Sequence, residues 1–149
     1  EKAGRTLVSA ARREGTTLIC VTLNAPSDWA DHTALLDWGF ANYESRPLAE
    51  AGKVIGQLPV TGGLSPVCPV ETGADLAAAL APGEAVQMAC ELTERVLAAP
   101  VSRGTQVGEA VYYVNSKELA RVPLVTGQSV HGIEAPKGGF RLWRSVFKN

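Results

Sequence analysis

A serine three positions ahead of a lysine is the spacing of an acylating serine and the base that activates it, and Ser145-Val146-Phe147-Lys148 has that spacing. It stands at the end of the sequence with no second serine motif after it, so it carries no catalytic assignment. Three Thr-Gly dipeptides, Thr61-Gly62, Thr72-Gly73 and Thr126-Gly127, are preceded by Val60, Glu71 and Val125, so none brings a cation to a substrate carboxylate. No glycine turn continues into Gly-Lys-Ser or Gly-Lys-Thr, which leaves a phosphate loop unsupported. His32 and His131 lack a carboxylate or cysteine at ligand spacing and read as ordinary exposed or half-buried histidines. The three cysteines, Cys20, Cys68 and Cys90, have neither the paired spacing of a zinc site nor the number of a disulfide scaffold, and Cys20, inside an apolar run, reads as a small buried thiol. No catalytic residue is assigned, and neither a metal nor a cofactor is expected.

The elements that would position such groups begin with two β-rich runs, residues 5–11 (RTLVSAA) and 16–23 (TTLICVTL), joined by the turn Arg12-Arg13-Glu14-Gly15 into a hairpin. Pro26-Ser27-Asp28 then starts a helix, with Ser27 or Asp28 placed to cap its first amides. Trp29, Thr33, Leu36, Phe40 and Tyr43 fall on one side of that helix and predict its packed face. Two strands and a helix do not close a core, because an isolated hairpin is marginal in water and an apolar helix face needs a broader sheet to cover it. The chain opens on Glu1-Lys2, without methionine, signal peptide or transmembrane run, and is expected to be a fragment. The partner expected on its uncovered apolar faces is a missing N-terminal portion or a second copy of the chain.

From Arg46 onward, short β-like runs are punctuated by glycine and proline: 53–60, 67–70, 86–92, 106–114 and 118–125. Pro47 marks the boundary, since the residue before a proline is pushed out of helical geometry. Residues 75–80 (DLAAAL) read as a short helical turn closed by Pro82-Gly83, and 84–99 suits either a strand or a helix. Gly52-x-Val54-x-Gly56 is echoed by Gly104-x-x-Val107-Gly108, each followed by a valine-rich run and Thr-Gly, as if two related β units packed face to face in a small antiparallel β-sandwich. Tyr112 and Tyr113 are adjacent, point to opposite faces, and leave one for the core.

The tail, residues 137–149 (KGGFRLWRSVFKN), places Phe140, Trp143, Val146 and Phe147 on one helical side, with Arg141, Arg144 and Lys148 able to reach lipid headgroups. These residues are the candidate membrane-binding set. The chain as a whole, with 149 residues, 46% hydrophobic, 19% charged and a net charge of −1, has the make-up of a folded protein without a long-range field for nucleic acid or anionic lipid. No basic patch interleaved with aromatics marks a nucleic-acid surface.

Several of these stretches also carry a family resemblance. Ala3-Gly4-Arg5, the LNAPS of residues 23–27 and the LLDWGF of residues 35–40 occur in an order and spacing similar to the segment after the third active-site motif of serine-type D-alanyl-D-alanine carboxypeptidases, the low-molecular-mass penicillin-binding proteins. Gly52-Lys53-Val54-Ile55-Gly56, Val60-Thr61-Gly62-Gly63, Val107-Gly108 and Val122-Pro123-Leu124-Val125 are similar to the β-rich C-terminal domain of the same enzymes. The resemblance implies a mainly β chain. Residues 1–45 would be the remnant of an α/β catalytic domain of the serine β-lactamase type, 46–130 the β-rich domain, and 131–149 a linker with an amphipathic tail. It also resolves 84–99 in favour of a strand.

The Ser-x-x-Lys, Ser-x-Asn and Lys-Thr-Gly motifs of the family are absent from their expected places, and Lys-Thr-Gly would lie just before Glu1. The resemblance therefore implies a non-catalytic stalk or spacer of an enzyme that trims D-alanine from peptidoglycan stem peptides. The alternative is a non-enzymatic envelope module that binds a protein or the membrane surface. Either way it implies an extracytoplasmic place in the bacterial envelope, peripheral to the cytoplasmic membrane. It leaves open a Cys68–Cys90 disulfide, should their strands be neighbours.

Overall fold

The structure, a computed structural model, describes residues 4–133. In chain order its elements are β1 (Thr6–Arg13), β2 (Thr16–Leu23), α1 (Asp28–Asn42), β3 (Glu44–Ala49), β4 (Val54–Thr61) and β5 (Val67–Thr72). They continue with β6 (Leu76–Leu80), β7 (Val86–Leu92), β8 (Leu97–Ala98), β9 (Gln106–Val114) and β10 (Lys117–Thr126). The chain is mainly β, as expected.

β1 and β2 pair antiparallel from Thr6↔Leu23 to Arg13↔Thr16. The turn between them is only Glu14-Gly15, both at positive φ (48° and 84°), which matches the twist of a two-residue hairpin. Arg12 and Arg13, expected in the turn, end β1 instead.

The helix packs with a different face from the one its apolar residues predict. Asp28, His32 and Gly39 are buried against the hairpin, whereas Trp29 is 70% exposed. The hairpin decides this. Its inner face carries Ser9 and Thr22, whose hydroxyls lie 2.6 and 3.0 Å from the two ring nitrogens of His32, and Arg5 Nε donates to Asp28 Oδ2 at 3.0 Å. Turning the apolar side inward would strip those hydroxyls of their partner, a cost that a few carbon contacts do not offset. His32, read from sequence as exposed or half-buried, is thus a buried residue with two partners. Ser27 makes no side-chain cap bond, and Asp28 Oδ1 accepts from the Trp29 amide instead.

Only Tyr43 separates α1 from β3, and Pro47 lies inside that strand. β3 pairs antiparallel with β6, and residues 76–80, expected to be helical, are that partner strand. Alanine favours a helix by only a few tenths of a kcal/mol over its neighbours, and a full strand ladder outweighs that preference.

The echo between Gly52 and Gly104 is a real internal repeat. Gly52 and Gly104 share φ values of 82° and 81°, and their amides donate to the carbonyls of Thr72 and Thr126, each at 2.7 Å. Ala51 N donates to Asp75 Oδ1 as Arg103 N does to Ser129 Oγ, at 2.7 and 2.9 Å. The β4–β5 pairs Gly56↔Val70, Gln57↔Pro69 and Leu58↔Cys68 correspond to the β9–β10 pairs Gly108↔Leu124, Glu109↔Pro123 and Ala110↔Val122, with a register shift beside each glycine. The copies meet where β5 pairs with β10, and there Gly73 N donates to Pro123 O and Gly127 N to Pro69 O, at 2.7 and 2.8 Å. This reciprocity is that of a local two-fold. The two copies lie edge to edge in one six-stranded sheet, β7-β9-β10-β5-β4-β8, and not face to face as separate sheets.

One core serves both copies. Leu58, Cys68 and Val70 from the first join Ala110, Tyr112, Val122 and Leu124 from the second. The sheet curls around this core, so that Ile55 and Leu58 of β4 line a cleft with Cys90 and Leu92 of β7. Tyr112 is the core member of the tyrosine pair, and burial, with Cys90 adding, pushes its phenol above the ordinary value.

Candidate functional site

The groups singled out for chemistry have structural duties here. Thr72 and Thr126, 2% and 0% exposed, are equivalent positions of the repeat. Thr72 Oγ1 donates to the Glu50 carbonyl, and Thr126 Oγ1 donates to the Ser102 carbonyl at 2.6 Å while accepting from Thr105 N at 2.9 Å. Each hydroxyl fastens a glycine turn to the end of a strand. Thr61 Oγ1 donates to the Leu97 carbonyl at 3.3 Å, joining β4 to β8.

Cys20 is buried, as its apolar run predicts. Cys68 and Cys90 are both free. Cys68, fully buried on β5, directs its thiol to the Gln128 carbonyl at 3.5 Å, while Cys90 is exposed on β7, three places away in the sheet order. Their strands are not neighbours, and the two thiols are not joined. Among the described residues no group of three or more His, Cys, Asp or Glu side chains is arranged to hold a metal ion, and no helix is long and apolar enough to cross a membrane. Ser145 and Lys148, and the membrane-binding set from Phe140 to Lys148, lie outside the described residues.

Two arrangements escaped the sequence reading. The first is the Ser9–His32–Thr22 group, for which alternating hydroxyls on facing strands are the signal. The second is Arg121 on β10, whose guanidinium reaches Glu91 of β7 at 2.7 Å, Glu109 of β9 at 3.0 Å and Glu118 at 2.9 Å. Glu118 is three residues from Arg121 on the same strand, but nothing in the spacing of Glu91, Glu109 and Arg121 announces the rest, since cross-strand register alone brings those three together.

Chiefly through its side-chain hydrogen bond, Arg121 holds the Glu118 carboxyl below the ordinary value, and the carboxylates in turn raise the guanidinium. A depressed carboxyl stabilises the fold above its unfolded value of 4.5 and loses that contribution as pH falls through the lower folded value. Arg121→Gln is accordingly expected to lower the unfolding midpoint in low salt at about pH 7, with the gap to the parent closing as pH falls below 4.5. A gap that stays constant over that range would show that the loss is one of packing.

A hollow where the hairpin turn meets the end of α1 and β3 is lined by Arg13, Glu14, Phe40, Tyr43 and Glu44. Its cation is engaged: Arg13 lies 4.6 Å above the Phe40 ring and 3.7 Å from Asp37. The Ser9 and Thr22 hydroxyls do stand beside an imidazole, but His32 is buried between the hairpin and α1 with both ring nitrogens engaged, the arrangement of a packing contact. The geometry is that of a scaffold, and likeness to known proteins is the remaining guide. Residues 43–132 match the family model "Penicillin-binding protein 5, C-terminal domain".

The chain belongs to that family.

The penicillin-binding protein 5 C-terminal domain family is thus represented by β3 to β10, with the hairpin and α1 ahead of it. The chain is 31% identical over 129 residues to D-alanyl-D-alanine carboxypeptidase DacA of Haemophilus influenzae, covering 83% of this chain and 33% of that protein. It is 30% identical over 133 residues to D-alanyl-D-alanine carboxypeptidase DacD of Salmonella typhimurium, covering 86% of this chain and 34% of that protein. It therefore spans about a third of the length of these curated relatives. Among solved structures, penicillin-binding protein 5 from Haemophilus influenzae superposes with a TM-score of 0.68 at 28% identity, over 88% of this chain and 42% of that one. The resemblance read from short motifs is borne out at the level of the family.

Proposed function

We propose that this chain is the C-terminal, non-catalytic part of a serine-type D-Ala-D-Ala carboxypeptidase of the bacterial envelope, and that it holds the catalytic domain as a stalk. The observation that carries this reading is the bare outer face of the hairpin. Val8, Ile19, Val21 and Leu23, between 56% and 73% exposed, point away from α1 on a two-stranded sheet. An apolar sheet face of that kind is one side of a broader sheet waiting for its cover. Relatives about three times as long, named for carboxypeptidase activity, support an N-terminal catalytic portion as that cover. The nucleophile and its partners would then lie outside these 149 residues, and this chain would contribute surface and rigidity to the work.

Covalent labelling with a fluorescent penicillin tests the division. The purified 149-residue chain is expected to stay unlabelled, while a longer product of the same gene that carries Ser-x-x-Lys, Ser-x-Asn and Lys-Thr-Gly ahead of Glu1 is expected to label. Labelling of the short chain would refute the reading. Failure of the longer product to label, or absence of those motifs from it, would favour the non-enzymatic envelope module.

A further inference from the structure

The internal repeat exposes a difference between its two halves. In the second copy, β9 has β10 on one side and β7 on the other, with pairs Leu92↔Gly108, Glu91↔Glu109, Cys90↔Ala110 and Ala89↔Val111. In the first copy the equivalent strand is β4, flanked by β5, and on its other edge β8 pairs only with Val60 and Thr61. Gly56, Gln57, Leu58 and Pro59 are the counterparts of Gly108, Glu109, Ala110 and Val111, and among the described residues they have no strand where β7 would lie.

The two glycines report the same thing at atomic scale. A β-carbon on Gly108 would press against the Glu91 carbonyl and come within 2.9 Å of the Leu92 Cα, because β7 crosses there. One on Gly56 would meet nothing within 4 Å. The open edge is also floored for an occupant: Ile55, Leu58, Val70, Leu92 and Leu124 line the adjoining cleft with Cys90, and no charged side chain is among its lining residues.

We propose that the β4 edge at Gly56–Pro59 is a strand-receiving slot for an extended, uncharged, apolar-rich peptide segment of a partner protein. The segment adds antiparallel to β4 as β7 adds to β9. The molecule itself shows what fits: its own β7, half-buried at Val86 and exposed beyond it, with Cys90 and Leu92 lining the cleft and a charge only at Glu91, covers the equivalent edge. Main-chain bonds would supply affinity and the apolar cleft would select alternate side chains, as in other cases of strand addition. With β7 as its far wall, the cleft admits a lone strand more readily than the edge of a second folded copy, whose body would have to follow it. Like charges do not oppose entry, because the lining is neutral.

The probe is a synthetic nonapeptide with the sequence of residues 85–93, bearing Ser in place of Cys90 and Gln in place of Glu91, titrated into the intact chain while amide exchange and shifts are followed by NMR. Saturable binding is expected, with the new amide protection on β4 falling on Gln57, whose N–H faces the open edge while those of Gly56 and Leu58 face β5. Gly56→Ala separates binding from folding. It adds a methyl group to open space, so the unfolding midpoint should be unchanged, yet it meets the incoming strand as Gly108 meets β7, so affinity should fall at least tenfold. Three results would overturn the proposal: no binding at millimolar peptide, binding that Gly56→Ala leaves intact, or slow exchange at the Gln57 amide in the free chain, since Gly56 and Leu58 already pair with β5. The last would mean that a second copy or residues 134–149 already occupy the edge, and sedimentation would tell these apart.

Discussion

Replacing Gly108 with alanine is expected to lower the stability of the β-rich region by about 2–3 kcal/mol, which for a unit of this size is a fall of about 10 °C in Tm. The cause is backbone against backbone. The new methyl group would be driven into the Glu91 carbonyl and the Leu92 Cα, neither of which can swing aside like the end of a side chain. Relief requires β7 to move off β9, and that breaks a ladder running from Val86↔Val114 to Leu92↔Gly108, together with the Thr93 N to Val107 O bond of 3.0 Å. Urea or thermal unfolding of the 149-residue chain measures the loss, with Gly56→Ala as the matched control. A midpoint for Gly108→Ala within a degree or so of the parent would mean that β7 yields at little cost and that the close approach is not a constraint.

Thr126→Val should cost about 2 kcal/mol and Thr72→Val about half as much, both with the side-chain shape preserved. Thr126 is completely buried and uses its hydroxyl twice, donating to the Ser102 carbonyl and accepting from the Thr105 amide, so the valine removes two hydrogen bonds and leaves the Thr105 amide only its 3.3 Å contact with the Ser102 carbonyl. Thr72 serves its own turn only as a donor, to the Glu50 and Lys53 carbonyls. Equilibrium unfolding of the two single variants and the double variant checks the ranking. Because the two sites meet at the β5–β10 seam, where Thr72 pairs with Leu124 and Thr126 with Val70, some departure from additivity is expected in the double variant. A larger loss at Thr72 than at Thr126, or no loss at either, would contradict the role assigned to these hydroxyls.

What the sequence made legible follows from what is local. β2 and β9 were read with their correct limits and β4, β5 and β10 to within a residue or two, because β-branched runs closed by Gly and Pro are local signals; β7 was bounded correctly too, but the family resemblance chose strand over helix there. The glycine echo was visible as well, since a residue at positive φ recurs wherever the same turn recurs. Residues 76–80 were misread because leucine and alanine suit a helix in isolation, and only the presence of β3 makes them a strand. The packed face of α1 was misread for a related reason. Its apolar residues were counted, while the preference of Ser9 and Thr22 for a hydrogen-bonding partner was set by a different element. The Arg121 cluster could not be read at all, since Glu91, Glu109 and Arg121 become neighbours only once three strands are in register. For function, the motif order pointed to the family, and the missing motifs kept any catalytic assignment off this chain.

The junction at Tyr43 has a mechanical consequence. Its amide still bonds back to the Gly39 carbonyl while its own φ and ψ (−132° and 132°) are already those of a strand, so α1 runs into β3 with no slack between them. A joint of that sort cannot absorb torque. Any tilt of the hairpin and helix must be passed to β3 and, through its partner β6, into the body that follows. If the region beyond Tyr43 holds a domain at a distance from a surface, its length and its heading are fixed together, and a few residues of Gly and Ser inserted at this joint would keep the reach while abolishing the aim.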